Sequence, residues 1–511
     1  MSLARLYSGL INGVRGEIVT VEIHIDRGLP GVNIVGLPDQ AVKESRERIR
    51  PAIKESGFDF PNNKITINLS PADRAKEGST YDLPIAVGIL LASGQLEISP
   101  VEVEEKLFAG EIALDGSLRG IPGVLPLAIA GERNDFQQMF IPPGNYLEVE
   151  PTGMQPVNVP HLRTAVALLE GRLQPEAPRE NSKAELPDFD PRDFADVKGQ
   201  PTAKRALCTA AAGGHNALMI GPPGTGKSML ASRLAGILPS LTRKQTLETT
   251  AVHSVAGQLL KRGQLVDTPP FRSPHHTISG AGLIGGGQNP RPGEASLAHH
   301  GVLFLDELPE FQRNILETLR QPMETGQIHI SRARTSCHFP ANFLLLGAMN
   351  PCPCGFLTHP ERQCICTPSQ IDRYRRKLSG PLLDRIDLHL SVGPISYDQL
   401  TGGESVENTA SMRSKVVEAR KRQKHRYRDE DFFVNSDLPA RQVKEFCPLR
   451  SGAQSLLKQA VDSWGYSART VHRLQKVGRT LADIEGTEKI SENQMAEALN
   501  YREFEMDGWQ R

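Results

Sequence analysis

Apolar and polar positions alternate through residues 17–25 (Glu-Ile-Val-Thr-Val-Glu-Ile-His-Ile) and 64–69 (Lys-Ile-Thr-Ile-Asn-Leu), and a period of two predicts half-buried strands. Helical spacing between and after them, at 39–56 and 83–93, predicts an α+β or α/β domain over the first part of the chain. Farther on the pattern changes. Continuous apolar runs at 217–220, 301–305 and 343–349 suit buried parallel strands, and helical stretches alternate with them. After about residue 395 strand signals fade, and 411–427, 440–446, 452–463, 469–484 and 492–501 read as helices. Residues 173–192, rich in Pro, Glu, Asp and Ser, carry no apolar period and read as an exposed linker. The expected organisation is a domain over 1–172, a linker over 173–192, a parallel-sheet core over 193–395 and a helical region over 396–511.

Composition narrows this only a little. A chain of 511 residues with 39% hydrophobic and 23% charged residues is a globular protein of several domains. Lys+Arg and Asp+Glu stand equal at 59 each, so no global basic field attracts nucleic acid and any polyanion site must be local. The N-terminus lacks a signal-peptide apolar region, and the longest apolar stretch, 83–92, is too short to span a bilayer. The expectation is a cytoplasmic protein with no membrane partner. Seven cysteines, an odd number without secretory context, argue against a disulfide framework.

The chemistry begins at Gly221-Pro222-Pro223-Gly224-Thr225-Gly226-Lys227-Ser228, which follows one apolar run and opens the helical stretch beginning at Met229. Strand, glycine-rich loop and helix in that order form a P-loop: backbone N–H groups converge on phosphates, Lys227 adds charge at the β/γ end, and the Ser228 hydroxyl is placed to ligate Mg²⁺. The run 301–305 delivers Asp306-Glu307 at its carboxyl end, the edge where open α/β sheets bind ligands. Asp306 is then the expected Mg²⁺ partner of Ser228, and Glu307 the group that polarises the attacking water. Asn350 ends the third run, where it either orients that water or turns the chain before Pro351.

With these motifs in series, the region from Phe194 onward resembles an AAA+ ATPase. In that resemblance Asn350 matches the sensor-1 position, Arg385 in Leu382-Leu-Asp-Arg385-Ile-Asp the arginine finger, and Arg469 in Ser467-Ala-Arg469-Thr-Val-His the sensor-2 segment on a C-terminal helical lid. The insert after the P-loop and the hairpin-like stretch 326–339 resemble the clade of magnesium chelatase I subunits, MCM helicases and sigma54 activators. The phrases Pro270-Phe-Arg-Ser-Pro-His-His-Thr-Ile-Ser279, Gly293-Glu-Ala-Ser-Leu-Ala-His-His-Gly301, Ala348-Met-Asn-Pro-Cys-Pro-Cys-Gly355 and Ser379-Gly-Pro-Leu-Leu-Asp-Arg-Ile-Asp387 are similar to the YifB/ComM family of magnesium chelatase-like proteins, over essentially the whole chain. The resemblance implies an ATP- and Mg²⁺-dependent ring, a homohexamer, acting as a DNA helicase that promotes branch migration in natural transformation. It also implies that Arg385 reaches the γ-phosphate held by a neighbouring subunit, where it would supply charge to the transition state.

The N-terminal stretches 76–86 and 110–125 are similar to the catalytic segments of Lon-type proteases, which implies a Lon-protease-like (ribosomal protein S5 domain 2-like) fold. Thr80 stands where the nucleophilic Ser belongs and Leu125 where the Lys belongs. A hydroxyl nucleophile needs an adjacent base, and Leu125 supplies none, so the expectation is a proteolytically inactive domain that binds DNA or a partner.

Three local features remain. Cys352, Cys354, Cys364 and Cys366 are four thiols within fifteen residues, either a structural Zn²⁺ site or reduced thiols, the single-residue spacing being tighter than usual. His275-His276 and His299-His300, read as strand neighbours facing opposite ways, make poor chelates. The basic run that includes Arg420, Lys421 and Arg422 is either a solvated helix face or a set of phosphate contacts. Arg332 and Arg334 are either DNA contacts on a pore hairpin, as the resemblance implies, or edge-strand charges. Two function classes follow: a DNA translocase, or a chelatase-type motor that remodels a protein partner for metal insertion.

Overall fold

The computed structural model describes residues 3–99, 101–176, 192–259, 265–287, 289–331, 336–395 and 407–502. The chain forms two compact units. One holds residues 1–188, 243–266 and 331–339; the other holds 189–242, 267–330 and 340–511.

The first unit is built on a seven-stranded mixed sheet in the order Gly31–Val35, Lys64–Ser70, Arg15–Asp26, Leu3–Asn12, Lys106–Phe108, Gln138–Ile141, Gln155–Asn158. Arg15–Asp26 pairs antiparallel with Leu3–Asn12 on one side and with Lys64–Ser70 on the other. Side-chain alternation divides the sheet's apolar residues between two cores. Leu6, Val21 and Ile23 join the helix Asp82–Ala92, every residue of which is buried. Tyr7, Ile11 and Ile18 join the helix Val124–Arg133. The first helix lies close because Gly88 has no side chain: a Cβ there would meet Ile23 Cδ1 at 2.0 Å. The 83–92 run is thus a helix that is apolar all round because it is surrounded.

The helix Arg243–Val255, an insert in the ATPase-like part of the sequence, belongs to this first unit. It packs on Val124–Arg133, and the Gly123 N–H donates to Ser254 O at 3.1 Å.

In the second unit, five strands run in the order Phe271–Arg272, Val302–Leu305, Leu344–Met349, Ala217–Ile220, Leu388–Ser391, and all four pairings are parallel. Helices Pro201–Gly213 and Lys227–Ile237 bury their apolar faces in the core around this sheet. The C-terminal helices Thr409–Arg426, Ser451–Trp464, Ala468–Glu485 and Glu492–Asn500 share that core through Met412, Leu457, Leu481 and Met495. The expected helix at 440–446 is a 3₁₀ turn, Ala440–Gln442, followed by Val443–Phe446. Among the described residues no helix is long and apolar enough to cross a membrane.

Candidate active site

Parallel pairing brings the carboxyl ends of three neighbouring strands together, with Leu344–Met349 between the P-loop strand and the Asp306 strand. The loop that follows Ala217–Ile220 is shaped by its glycines. A Cβ on Gly221 would meet Val392 O at 2.0 Å, so this position admits no side chain. Gly224 and Gly226 adopt φ +80° and +86°, where L-residues are strained, and a Cβ on either would meet nothing within 4 Å. Their exposed side is an open cradle. Thr225 Oγ1 donates to Pro222 O at 3.0 Å and pins the turn.

Lys227 is buried, and its ammonium donates to Gly221 O at 2.7 Å, Pro222 O at 2.8 Å and Asn350 Oδ1 at 3.3 Å. Burial lowers its pKa against the pull of Asp306 and Glu307. Ser228 Oγ donates to Asp306 Oδ2 at 2.7 Å. A hydroxyl and a carboxylate in direct contact at a phosphate cradle are hard oxygen donors of the kind Mg²⁺ takes, so the residues present fit a Mg–nucleotide. Asp306 Oδ1 accepts the Glu307 N–H at 2.9 Å. Glu307 sits at φ +49°, a strained conformation for a non-glycine residue, and its side chain is 59% exposed. Met229 is exposed at the start of the helix.

Three contacts had no signal in the motifs. His276 Nδ1 stands 3.8 Å from Glu307 Oε2. The rings of His275 and His276 lie 4.1 Å apart and those of His299 and His300 3.8 Å apart, rather than on opposite faces. Neither pair lies in a strand, and His300 is at φ +58°, which corrects the strand-based expectation.

Arg385 and Arg469 meet at one carboxylate. Arg385 Nη2 pairs with Glu324 Oε1, and Arg469 Nη2 donates to the same oxygen at 3.1 Å. Two residues beyond Arg385, Asp387 Oδ2 lies 2.9 Å from His215 Nδ1, and the other His215 nitrogen lies 2.8 Å from Thr480 Oγ1 on the helix Ala468–Glu485. Burial opposes ionisation of Asp387, but His215 and then Arg473 outweigh it and hold the carboxyl well below the usual range. These bonds tie the segment carrying Arg385 to the helix carrying Arg469.

The sulfurs of Cys352, Cys354, Cys364 and Cys366 all lie within 4.8 Å of one another. Burial opposes the Cys354 thiolate, but N–H groups of Phe356 and Ile365 outweigh it and bring the thiol down to about 6.

The basic run is partly used inside the chain. Arg420 donates from Nε at 3.2 Å and from Nη2 at 2.7 Å to Ala211 O, and Gln423 Nε2 donates to Ala212 O at 3.0 Å. These are last-turn carbonyls of the helix Pro201–Gly213, which have no intrahelical partner. Arg422 Nη1 likewise donates to Asp483 O at 2.7 Å, near the end of Ala468–Glu485. Lys421, with a side chain 67% exposed, pairs with Glu418 three residues earlier on its own helix. Arg332 and Arg334 lie outside the described residues, between the strands Gln327–Ser331 and Ser336–Pro340.

A glycine cradle at the end of one parallel strand, with a carboxylate at the end of the next strand but one and an amide between them, defines a P-loop ATPase of the AAA+ type. Comparison with known sequences narrows the class. Family models described as "Magnesium chelatase, subunit ChlI", "Subunit ChlI of Mg-chelatase" and "Magnesium chelatase, subunit ChlI C-terminal" match residues 193–400, 21–145 and 406–502. The chain is 44% identical to protein YifB of Salmonella typhimurium, over 98% of this chain and 97% of that one. It is 43% identical to competence protein ComM of Haemophilus influenzae, over 98% of each. The magnesium-chelatase 38 kDa subunit of Rhodobacter capsulatus is 28% identical over 37% of this chain and 56% of its own. The chain belongs to the YifB/ComM family of magnesium chelatase-like AAA+ proteins, and membership implies ATPase activity.

Proposed function

We propose that this chain is a ring-forming, cytoplasmic ATPase that moves DNA, promoting branch migration of joint molecules during natural transformation and recombination. The observation that carries the reading is end-to-end similarity to a competence protein in a chain with an intact nucleotide cradle. Gly221 to Met229 hold the nucleotide, with the ammonium of Lys227 balancing phosphate charge. Ser228 and Asp306 would hold Mg²⁺, which would supply positive charge to the phosphates when bound. Glu307 accepts the proton of the attacking water, which Asn350 orients. Arg385 completes the site of a neighbouring subunit in a homohexamer, and Arg469 acts as sensor 2 on a C-terminal lid over 396–511. The four cysteines take a structural Zn²⁺.

Residues 1–172 form the Lon-like domain, without proteolysis. Leu125 is fully buried and its N–H donates to Glu148 Oε2 at 3.1 Å, so no base stands there for Thr80. DNA contact is assigned first to Arg332 and Arg334. On the basic helix it is assigned to exposed Lys421, with Arg420 and Arg422 reaching phosphate only by giving up their carbonyls.

ATPase assays with single-stranded, duplex and four-way-junction DNA test the reading. Stimulation by DNA, greatest with the junction, is expected. Turnover indifferent to all three overturns it in favour of the second reading, a chelatase-type motor acting on a protein partner, which the partial similarity to a chelatase subunit favours.

A further inference from the structure

The sensor amide and the cysteine cluster are one structural unit. Asn350 precedes Cys352 by two residues, and its backbone N–H lies close enough to the hydroxyl of Tyr374, in the helix that follows Cys366, to pull against the burial that raises that hydroxyl's pKa. The two ends of the segment between them therefore lie near each other. Within it, Cys352 Sγ lies 3.4 Å from Cys354 Sγ and 3.7 Å from Cys364 Sγ, and the last two sulfurs are 3.6 Å apart. A disulfide needs about 2 Å, so none of these pairs is bonded. Four thiolates at the Zn–S distance of about 2.3 Å form a tetrahedron with edges of about 3.8 Å, close to the spacing found. Cys366 Sγ completes the set and accepts the Cys354 N–H at 3.4 Å. The single-residue spacing is workable because Gly355 turns the chain at φ +83° directly after the first pair.

That same turn rests on the nucleotide loop. A Cβ at Gly355 would lie 2.6 Å from Pro223 Cδ and 3.8 Å from Asn350 Cγ. Gly355 is buried there, so the knuckle backbone fills the space beside both the P-loop proline and the sensor amide. Across that contact Asn350 Oδ1 accepts from Lys227. The apolar residues Leu357 and Ile365 of this loop are exposed, so they do not form a core that holds it. A small loop without a core needs a cross-link to stay folded.

We propose that Cys352, Cys354, Cys364 and Cys366 bind one Zn²⁺, and that the knuckle so formed holds Asn350 against the P-loop, making metal occupancy a condition of ATP turnover rather than of ATP binding. The coupling rests on the reading of Asn350 as the group that orients the attacking water. Asn350 is the residue that acts on the reaction, and the cysteines position it.

The test uses full-length protein purified without chelators. Elemental analysis is expected to give one zinc per chain, absent from the Cys354→Ser/Cys366→Ser double variant. Wild-type protein is then treated with a zinc-selective chelator in excess Mg²⁺. Turnover number is expected to fall at least about tenfold while the Kd of a fluorescent ATP analogue changes by less than about threefold, and added Zn²⁺ restores turnover. Chelation of the native chain avoids dependence on whether the cysteine variants fold. Protein that neither contains zinc nor takes it up overturns the metal site. Zinc whose removal leaves turnover unchanged overturns the coupling and leaves the ATPase reading intact. Loss of nucleotide binding together with turnover shows that the metal supports the whole unit, and also overturns the coupling. A zinc-loaded protein with no ATPase activity overturns the ATPase reading, and the coupling with it.

Discussion

Two carboxylates of the first unit, Glu148 and Asp82, are closed in. Glu148, 4% exposed, accepts from Ser254 Oγ, from Asn145 Nδ2 at 2.6 Å and from the Leu125 N–H at 3.1 Å. Asp82 is fully buried and accepts from Arg48 Nε at 2.9 Å and Nη2 at 3.0 Å. In the second unit Asp306 and Glu307 stand at the open edge of a parallel sheet, and Glu307 has most of its side chain in solvent. The contrast separates two uses of charge. A carboxylate whose lone pairs are all taken by fixed donors holds a fold together; one with free lone pairs beside a cradle can bind a cation or accept a proton. By that criterion Asp306 and Glu307 are free to act on a bound cation or water, whereas Glu148 and Asp82 are committed to the fold.

The largest test of this division is Arg385→Ala. It is expected to lower turnover about 10⁴-fold with nucleotide affinity nearly unchanged, and mixing with Lys227→Ala protein should restore part of the activity, measured by steady-state ATPase. No recovery in subunits shown to co-assemble would place the finger elsewhere. Glu307→Gln follows, with a loss of about 10³-fold and retained ATP binding by equilibrium titration; near-normal turnover would remove the distinction between its open carboxylate and the closed ones. Glu148→Ala should act in the opposite way. It strands several buried donors, so urea unfolding is expected to show a loss of about 3–4 kcal/mol while turnover per folded chain is unchanged. Reduced turnover without reduced stability would give the first unit a part in the chemistry.

The smallest expected effect concerns pH. Burial first, against the pull of Arg48, raises the Asp82 carboxyl to about 6. A carboxyl whose folded pKa lies above its unfolded value favours the protonated fold, so its contribution is full below about pH 4 and is lost as pH rises through about 6. The stability of wild type relative to Asp82→Asn should therefore fall by about 2–3 kcal/mol between those limits. A flat difference would mean that Arg48 cancels the effect of burial on Asp82, and a difference that rises with pH that Arg48 outweighs it.

The parallel core was readable because its strands are short continuous apolar runs that end in the polar residues of the site. The stretches 217–220, 301–305 and 343–349 appear as Ala217–Ile220, Val302–Leu305 and Leu344–Met349. The central strand Leu3–Asn12 was not read, although Ala4, Leu6, Ser8 and Leu10 alternate in burial, because Gly9 and Ser8 dilute the apolar signal. The meeting of Arg385 and Arg469 on Glu324 was equally invisible, since these residues are up to 145 positions apart and no local period links them. Charge runs misled for a physical reason. Arg420 and Arg422 look like surface cations, yet a long side chain can reach back to the bare carbonyls of a helix end.

The helix Arg243–Val255 also sets an order of events during synthesis. Glu148 and the Ser254 hydroxyl that it accepts are 106 residues apart, and at about 5–20 residues per second the ribosome needs on the order of 5–20 s to make the intervening chain. For that interval the nascent first unit presents a bare face of Val124–Arg133 and a carboxylate short of one donor. A chain released early, before residue 243, would carry that unfinished face permanently.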